Sequence, residues 1–306
     1  MRSFLAGAFF VSGCGPDYTY PANTVPQSIQ DICLKENNLA VKARVAGKTV
    51  GALLSINDLL DAKGQIPRAV HEKMGQVMQA VTRVALSTDL AIDFCEVIVR
   101  DRKYLNELVI LRSLDDTKRA NADAIGIEES INRTVFRQGK YRPVGRGNGN
   151  FILKEVKLED FLAEQIAQRV RLGFARESRE DAEETSSRFV LIEGSFDASH
   201  GERVFRFSTL SLQEENPHKT MLDIFHTASG VLKDYGFTDY GAIEIQDYLN
   251  RQKLTLDKET VLNYQAKRIT DQEILDRYLT ESQSVRDAFK LFGVSPSATE
   301  AAAEKN

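Results

Sequence analysis

The chain has 306 residues, room for two ordinary domains or one large one. Its 42% hydrophobic and 27% charged residues are the balance of a soluble globular protein and exclude wholesale disorder. A formal net charge of -4 argues against nucleic acid as a partner.

Arg2 precedes an apolar run from Phe4 to Val11. The run is too short to span a bilayer, which takes about 20 helical residues, but it suits the apolar region of a signal peptide. It closes on Val11-Ser12-Gly13-Cys14. That order, an aliphatic residue and two small ones before a cysteine, resembles the bacterial lipobox. The resemblance implies cleavage before Cys14 and a diacylglyceryl group on its thiol, with 1–13 as the signal peptide. Residues 14–27 then read as a lipid-anchored tether carrying Pro16, Pro21 and Pro26. Gly15 rather than Asp follows the cysteine. In a two-membrane cell this implies an outer-membrane lipoprotein facing the periplasm. The competing reading buries Phe4 to Phe10 in the core of a cytoplasmic protein. No later stretch approaches a transmembrane span.

Ser28 to Asn37 is expected to be a helix, opened by Ser28 with Asp31 three residues on. Leu39 to Val45 and Thr49 to Leu54 form a predicted hairpin around Gly47. Pro67 opens a helix to about Leu86, with Val70, Met74, Val77, Val81 and Val84 on one face. Ala91 to Arg100 and Glu107 to Leu114 read as strands, and 115–133 as polar and partly helical. Thr134 to Val144 and Phe151 to Val156 read as two strands around the glycine-rich run 145–150. Glu159 to Leu172 is a helix striped by Phe161, Leu162, Ile166 and Val170.

A charged break over 173–187 is expected to link two lobes, 28–172 and 188–294. The second lobe begins with a hairpin, Arg188 to Phe196 and Arg203 to Leu210. A helix from Lys219 to Tyr235 stops at Gly236. Ala242 to Leu249 and Leu254 to Val261 read as strands. Thr270-Asp271-Gln272-Glu273 is a capping box for a last helix carrying Ile274, Tyr278, Val285 and Phe289. Residues 295–306 read as a disordered tail.

The expected fold class is therefore α+β: antiparallel hairpin sheets packed with amphipathic helices in two lobes. Both lobes run hairpin, helix, hairpin, so a duplicated ββαββ unit is one reading and chance recurrence of a common order is the other. The marks of duplication are Thr88-Asp89 against Thr238-Asp239, and Ile92-Asp93-Phe94 against Ile243-Glu244-Ile245.

With Cys14 lipidated, Cys33 and Cys95 remain. They could pair in an oxidising compartment or serve as small buried hydrophobes. The run 145–150 is no phosphate loop, because Phe151 to Leu153 reads as strand where a helix would be needed. Asp89, Asp93, Glu96, Asp101, Asp115 and Asp116 have no spacing that enforces convergence on a cation. His71, His200, His218 and His226 are scattered, and Ser195 lacks the second glycine of a nucleophile elbow. Arg169, Arg171, Arg176 and Arg179, alternating with Glu177 and Glu180, read as a solvated face. No catalytic residue, cofactor or metal is assigned. The expected role is lipid-anchored binding of an envelope protein or cell-wall partner, or service to an envelope assembly. The alternative is a lipid-anchored, hydrolase-like enzyme using carboxylates that the spacing does not group.

Overall fold

The computed structural model describes residues 19–141, 151–180, 190–211 and 217–282. These residues fall into two compact units, one within Met1–Ala124 and Arg137–Glu155, the other within Ile125–Phe136 and Val156–Asn306. Among the described residues, no helix is long and apolar enough to cross a membrane.

The first unit starts with α1, Val25–Asn37. It begins three residues before Ser28, because Pro26 in the first turn lacks an N–H that the helix would leave unpaired anyway. Part of the expected tether is thus helix. Asn38, at φ 55, ends α1. Strands β1 (Val41–Ala46) and β2 (Thr49–Ile56) form the hairpin turned by Gly47 at φ 53. Helix α2, Arg68–Leu86, follows Pro67 and supplies the crossover that a parallel pair requires. Strand β3 (Phe94–Asp101) then lies parallel to β2, and β4 (Asn106–Ser113) returns antiparallel. Two short helices lead to β5 (Val135–Lys140): α3 (Leu114–Asn121), and α4 (Ile127–Asn132), which with Val135 and Phe136 is counted in the second unit. The sheet order is β1-β2-β3-β4-β5. It is a mixed sheet: the hairpins are antiparallel, but they join through a parallel pair.

On one face of this sheet, Val50, Ala52, Cys95 and Val97 pack with Ile29, Cys33, Val77 and Val81. On the other, Leu53, Ile98 and Val109 meet Phe151 and Leu153. Segment 151–157 has no regular secondary structure, so the strand expected there is instead a strap. Burial of Phe151 to 1% exposure stabilises its seat by about 1.5–3 kcal/mol. Cover on both faces is why the central strands read as unbroken apolar runs.

The second unit holds α5 (Leu158–Glu180), β6 (Val190–Asp197), β7 (Val204–Ser211), α6 (Pro217–Asp234), β8 (Ala242–Asp247) and β9 (Gln252–Asp257). Helices α7 (Lys258–Gln265) and α8 (Asp271–Tyr278) and strand β10 (Leu279–Glu281) complete it. The sheet order is β10-β9-β8-β7-β6. Helix α5 runs on through the first part of the expected linker and packs against β6 and α6, in the second unit rather than the first. Val261 belongs to α7 and not to a strand, since Asp257 caps that helix by accepting the Thr260 N–H. The Thr270 capping box forms with both of its reciprocal hydrogen bonds. Helix α8 ends at Tyr278, and Val285 and Phe289 lie outside the described residues.

The expected ββαββ order is present in both units and extends further. From α1 to β5 and from α5 to β10 the elements recur in one order: helix, hairpin, crossover helix, hairpin, two short helices, strand. The strand pairings recur as well, antiparallel, parallel, antiparallel. The Lys48 carbonyl accepts the N–H groups of Asp93 and Phe94, and the Arg203 carbonyl accepts those of Gly241 and Ala242. This fixes the alignment. Glu96 and Glu244 correspond, each the third residue of its strand, and the pairing of Asp93 with Glu244 read from sequence is off by three positions.

Strand β6 passes very close to α5 at Gly194. A Cβ there would overlap the Ala163 carbonyl and meet Phe207 Cε1 at 2.9 Å. Backbone cannot yield as a side-chain tip can, so Gly194→Ala should cost about 3 kcal/mol. Urea unfolding should show a lower midpoint at unchanged slope.

Candidate functional site

Where β7 and β8 begin, the second unit opens into a cleft of about 550 Å³ lined by Gly201, Arg203, Asp239, Tyr240, Gly241 and Lys258, among others. The parallel pairing of β7 with β8 brings residues from the two ends of the α6 crossover together. Arg203 pairs with Asp239 at 2.8 Å, donates from Nε to the Asp239 carbonyl at 3.0 Å, and lies 5.4 Å from the centre of the Phe196 ring. Lys258 Nζ donates to the Thr238 carbonyl at 2.5 Å and stands 6.0 Å over the Tyr240 ring. Tyr240 belongs to an aromatic group with Phe205 and Phe237, and burial pushes its phenol up. Glu244 accepts Lys253 Nζ at 2.9 Å and faces Arg206 Nε at 3.6 Å. Arg206 also pairs with Asp197, whose carboxyl is held down to about 2 by the Ser199 hydroxyl and N–H and by Arg206. The cleft therefore offers cationic donors on an aromatic bed, a chemistry for polar ligands.

Among the described residues two carboxylates are wholly buried, each at the end of the first strand of the second hairpin in its unit. Asp101 ends β3 and Asp247 ends β8. Asp101 accepts the N–H groups of Leu59 (2.9 Å), Lys103 (2.8 Å) and Tyr104 (3.1 Å). Asp247 accepts those of Leu249 (3.0 Å) and Asn250 (3.2 Å), and the Asn250 amide at 2.8 Å. Four residues on, Leu105 (φ 56) and Arg251 (φ 53) complete each turn in the left-handed region. Burial pushes the Asp101 carboxyl up, but its backbone donors outweigh that and the net shift is down. At Asp247 burial prevails and the carboxyl is raised. Both groups hold turns.

A third polar cluster was missed from sequence. Arg133, 3% exposed, donates to Glu129 (2.6 Å) and Asp234 (3.4 Å) and stands 4.9 Å from the Tyr235 ring centre. Gln165 Nε2 donates to the Arg133 carbonyl and the Tyr235 hydroxyl, both at 3.0 Å. Gln168 donates to the Thr134 carbonyl and accepts the Phe136 N–H. Arg169 reaches Glu129 at 2.8 Å. This network fastens 129–136 to α5 and α6.

The acids weighed from sequence do not converge. Asp93 pairs with Lys48 at 3.0 Å, Glu96 sits within β3, Asp101 holds its turn, and Asp115 and Asp116 lie on α3. Among the described residues no group of three or more metal-ligating side chains forms. Cys33 and Cys95 are separate buried free thiols, pushed by burial up to about 11 and about 12. His226 Nε2 lies 2.8 Å from Asp271 and the ring stacks on Tyr264, which ties α6 to α8. Of the arginines read as a solvated face, Arg171 and Arg176 are exposed, bonded to the Ile192 carbonyl and to Glu128, whereas Arg169 is partly buried against Glu129; the side chain of Arg179 lies outside the described residues. Phe161, Leu162, Ile166 and Val170 are core, and Ser195 is an exposed strand residue. Cys14 and the run 145–150 lie outside the described residues.

No family model matches the chain, and no curated protein matches it. Among solved structures, the crystal structure of a sex pheromone staph-cAM373 precursor is similar over 77% of this chain and 79% of that chain. The identity is 10% and the TM-score 0.21, a likeness that falls short of a common fold.

Proposed function

We propose that the protein is a lipid-anchored envelope protein whose body binds a protein or cell-wall partner or serves an envelope assembly. The observation that carries this reading is Val11-Ser12-Gly13-Cys14 behind the apolar run Phe4 to Val11. An acylated Cys14 would bear two or more chains, enough for stable attachment where one chain at about 0.8 kcal/mol per buried CH₂ is marginal. In a two-membrane cell Gly15 favours the outer membrane. Support for binding rather than chemistry comes from how the acids are used. Asp101 and Asp247 hold backbone turns, and Asp239 and Glu244 neutralise neighbouring cations. The cleft of the second unit is the contact place this reading favours.

Membrane fractionation of a bacterial host tests it. The wild type should sediment with membranes and resist a high-salt wash, because acyl chains rather than charge hold it. Cys14→Ala should shift to unprocessed precursor. Identical behaviour of the two proteins would remove the reading.

A further inference from the structure

The repeat allows the cleft to be compared with the same place in the first unit. Lys48 and Arg203 correspond through their carbonyls, and each pairs with an acid just before the neighbouring strand, Lys48 with Asp93 at 3.0 Å and Arg203 with Asp239 at 2.8 Å, the two acids standing two positions apart in the alignment. In the first unit this place is filled. The strap from Phe151 ends there, and Glu155 Oε1 accepts the Lys48 N–H at 3.0 Å. The carboxylate sits so close over Gly47 that a Cβ on that residue would overlap it.

In the second unit the corresponding place is the cleft, which the described residues leave open. Among them, a Cβ built on Gly201 meets nothing within 4 Å, and one on Gly241 meets the Arg203 carbonyl at 3.6 Å. The sheet face leading to it also differs in chemistry. Gly51 and Leu53, under the strap, correspond to Arg206 and Ser208; Ile98 and Val109 correspond to Gln246 and Lys253. An apolar strap like Phe151 to Leu153 has no seat there, whereas a polar extended segment does.

We propose that this cleft binds a carboxylate side chain carried on an extended, polar segment of a partner protein, as its counterpart binds Glu155. The Arg203 N–H takes the part of the Lys48 N–H. Arg203 and Lys258 add charge-assisted donors, since a guanidinium has five N–H groups and an ammonium three, and the contacts described above use only some of them. Asp239 is already paired with Arg203, and Glu202 faces Arg206 at 3.6 Å. The proposal rests on the binding role above and names its ligand chemistry.

The test is a titration of the full chain, followed by its amide nuclear magnetic resonances. The probe is a short capped peptide of alternating threonine and glutamate, and the control has glutamine for glutamate. The proposal predicts saturable shifts of the Arg203, Gly241 and Lys258 amides with the acidic peptide and none with the control. Lys258→Glu should weaken binding about tenfold at an unchanged melting temperature. If that variant unfolds, Lys258→Gln is read in its place. Absence of saturable shifts at these amides, or equal shifts with the glutamine peptide, would overturn the proposal. Neither result depends on acylation of Cys14, so the anchor and the cleft can fail separately.

Discussion

Replacement of Asp101 by alanine should destabilise the first unit by about 3–5 kcal/mol. The carboxylate is 0% exposed and accepts three backbone N–H groups, of Leu59, Lys103 and Tyr104. An unsatisfied buried donor such as the Leu59 N–H costs about 1–3 kcal/mol, and the alanine also removes the acceptor of the two part-buried turn N–H groups. Asp101→Asn keeps one acceptor oxygen and should lose less. The pH dependence has a definite sign. The folded pKa of Asp101 lies below the unfolded value, so its contribution is present above the ordinary carboxylate range and fades as pH falls through the folded pKa. Asp247 acts in the opposite sense. Its folded pKa is raised, so its ionisation opposes folding as pH rises and its protonation favours folding on acidification. Urea unfolding of Asp101→Ala and Asp247→Asn from pH 7 to pH 3 should therefore shift acid tolerance in opposite directions. A loss under 1 kcal/mol for Asp101→Ala would show that water satisfies the turn.

Arg133→Ala should cost the second unit about 3 kcal/mol. The side chain is 4% exposed, and its removal breaks bonds to Glu129 and Asp234 and the stack on Tyr235. Arg133→Lys should not restore stability, because an ammonium cannot present the planar fork that meets Glu129, Asp234 and the ring together. Glu129 supplies a second readout. Burial pushes its carboxyl up, but Arg169 and Arg133 outweigh that and hold it below the usual range. Its contribution to stability is thus present above the unfolded pKa and lost as pH falls through the folded one. With Arg133 gone the folded pKa rises towards the unfolded value, and the acid-side loss should begin at higher pH. A variant as stable as the wild type at pH 7 would mean the network only decorates the packing of α4 and α5.

Elements with strong local signals were legible in the chain. The Gly47 hairpin, the α2 helix behind Pro67, the Gly236 stop and the Thr270 capping box each rest on residues adjacent in sequence. The recurrent hairpin–helix–hairpin order was legible for the same reason, but its alignment was not. It is carried by backbone hydrogen bonds, which place Glu96 rather than Asp93 opposite Glu244. The strap was misread because Phe151 and Leu153 alternate as a strand would, yet they cover a sheet face and pair with no strand. The end of α5 was cut short because its last turns carry charge in place of an apolar stripe. Gln165 and Gln168 lie between core positions of that helix, and nothing local distinguishes a buried glutamine from an exposed one. The cleft joins Gly201 and Arg203 to Tyr240, Gly241 and Lys258 through the crossover, so no contiguous motif announces it.

The anchor is the claim on which the functional account turns, and mass spectrometry of the mature N-terminus tests it most directly. Protein recovered from the envelope of a bacterial host should begin at Cys14, lack residues 1–13, and carry a diacylglyceryl thioether on that cysteine. A chain that retains Met1 to Gly13 and a free Cys14 thiol would contradict the account.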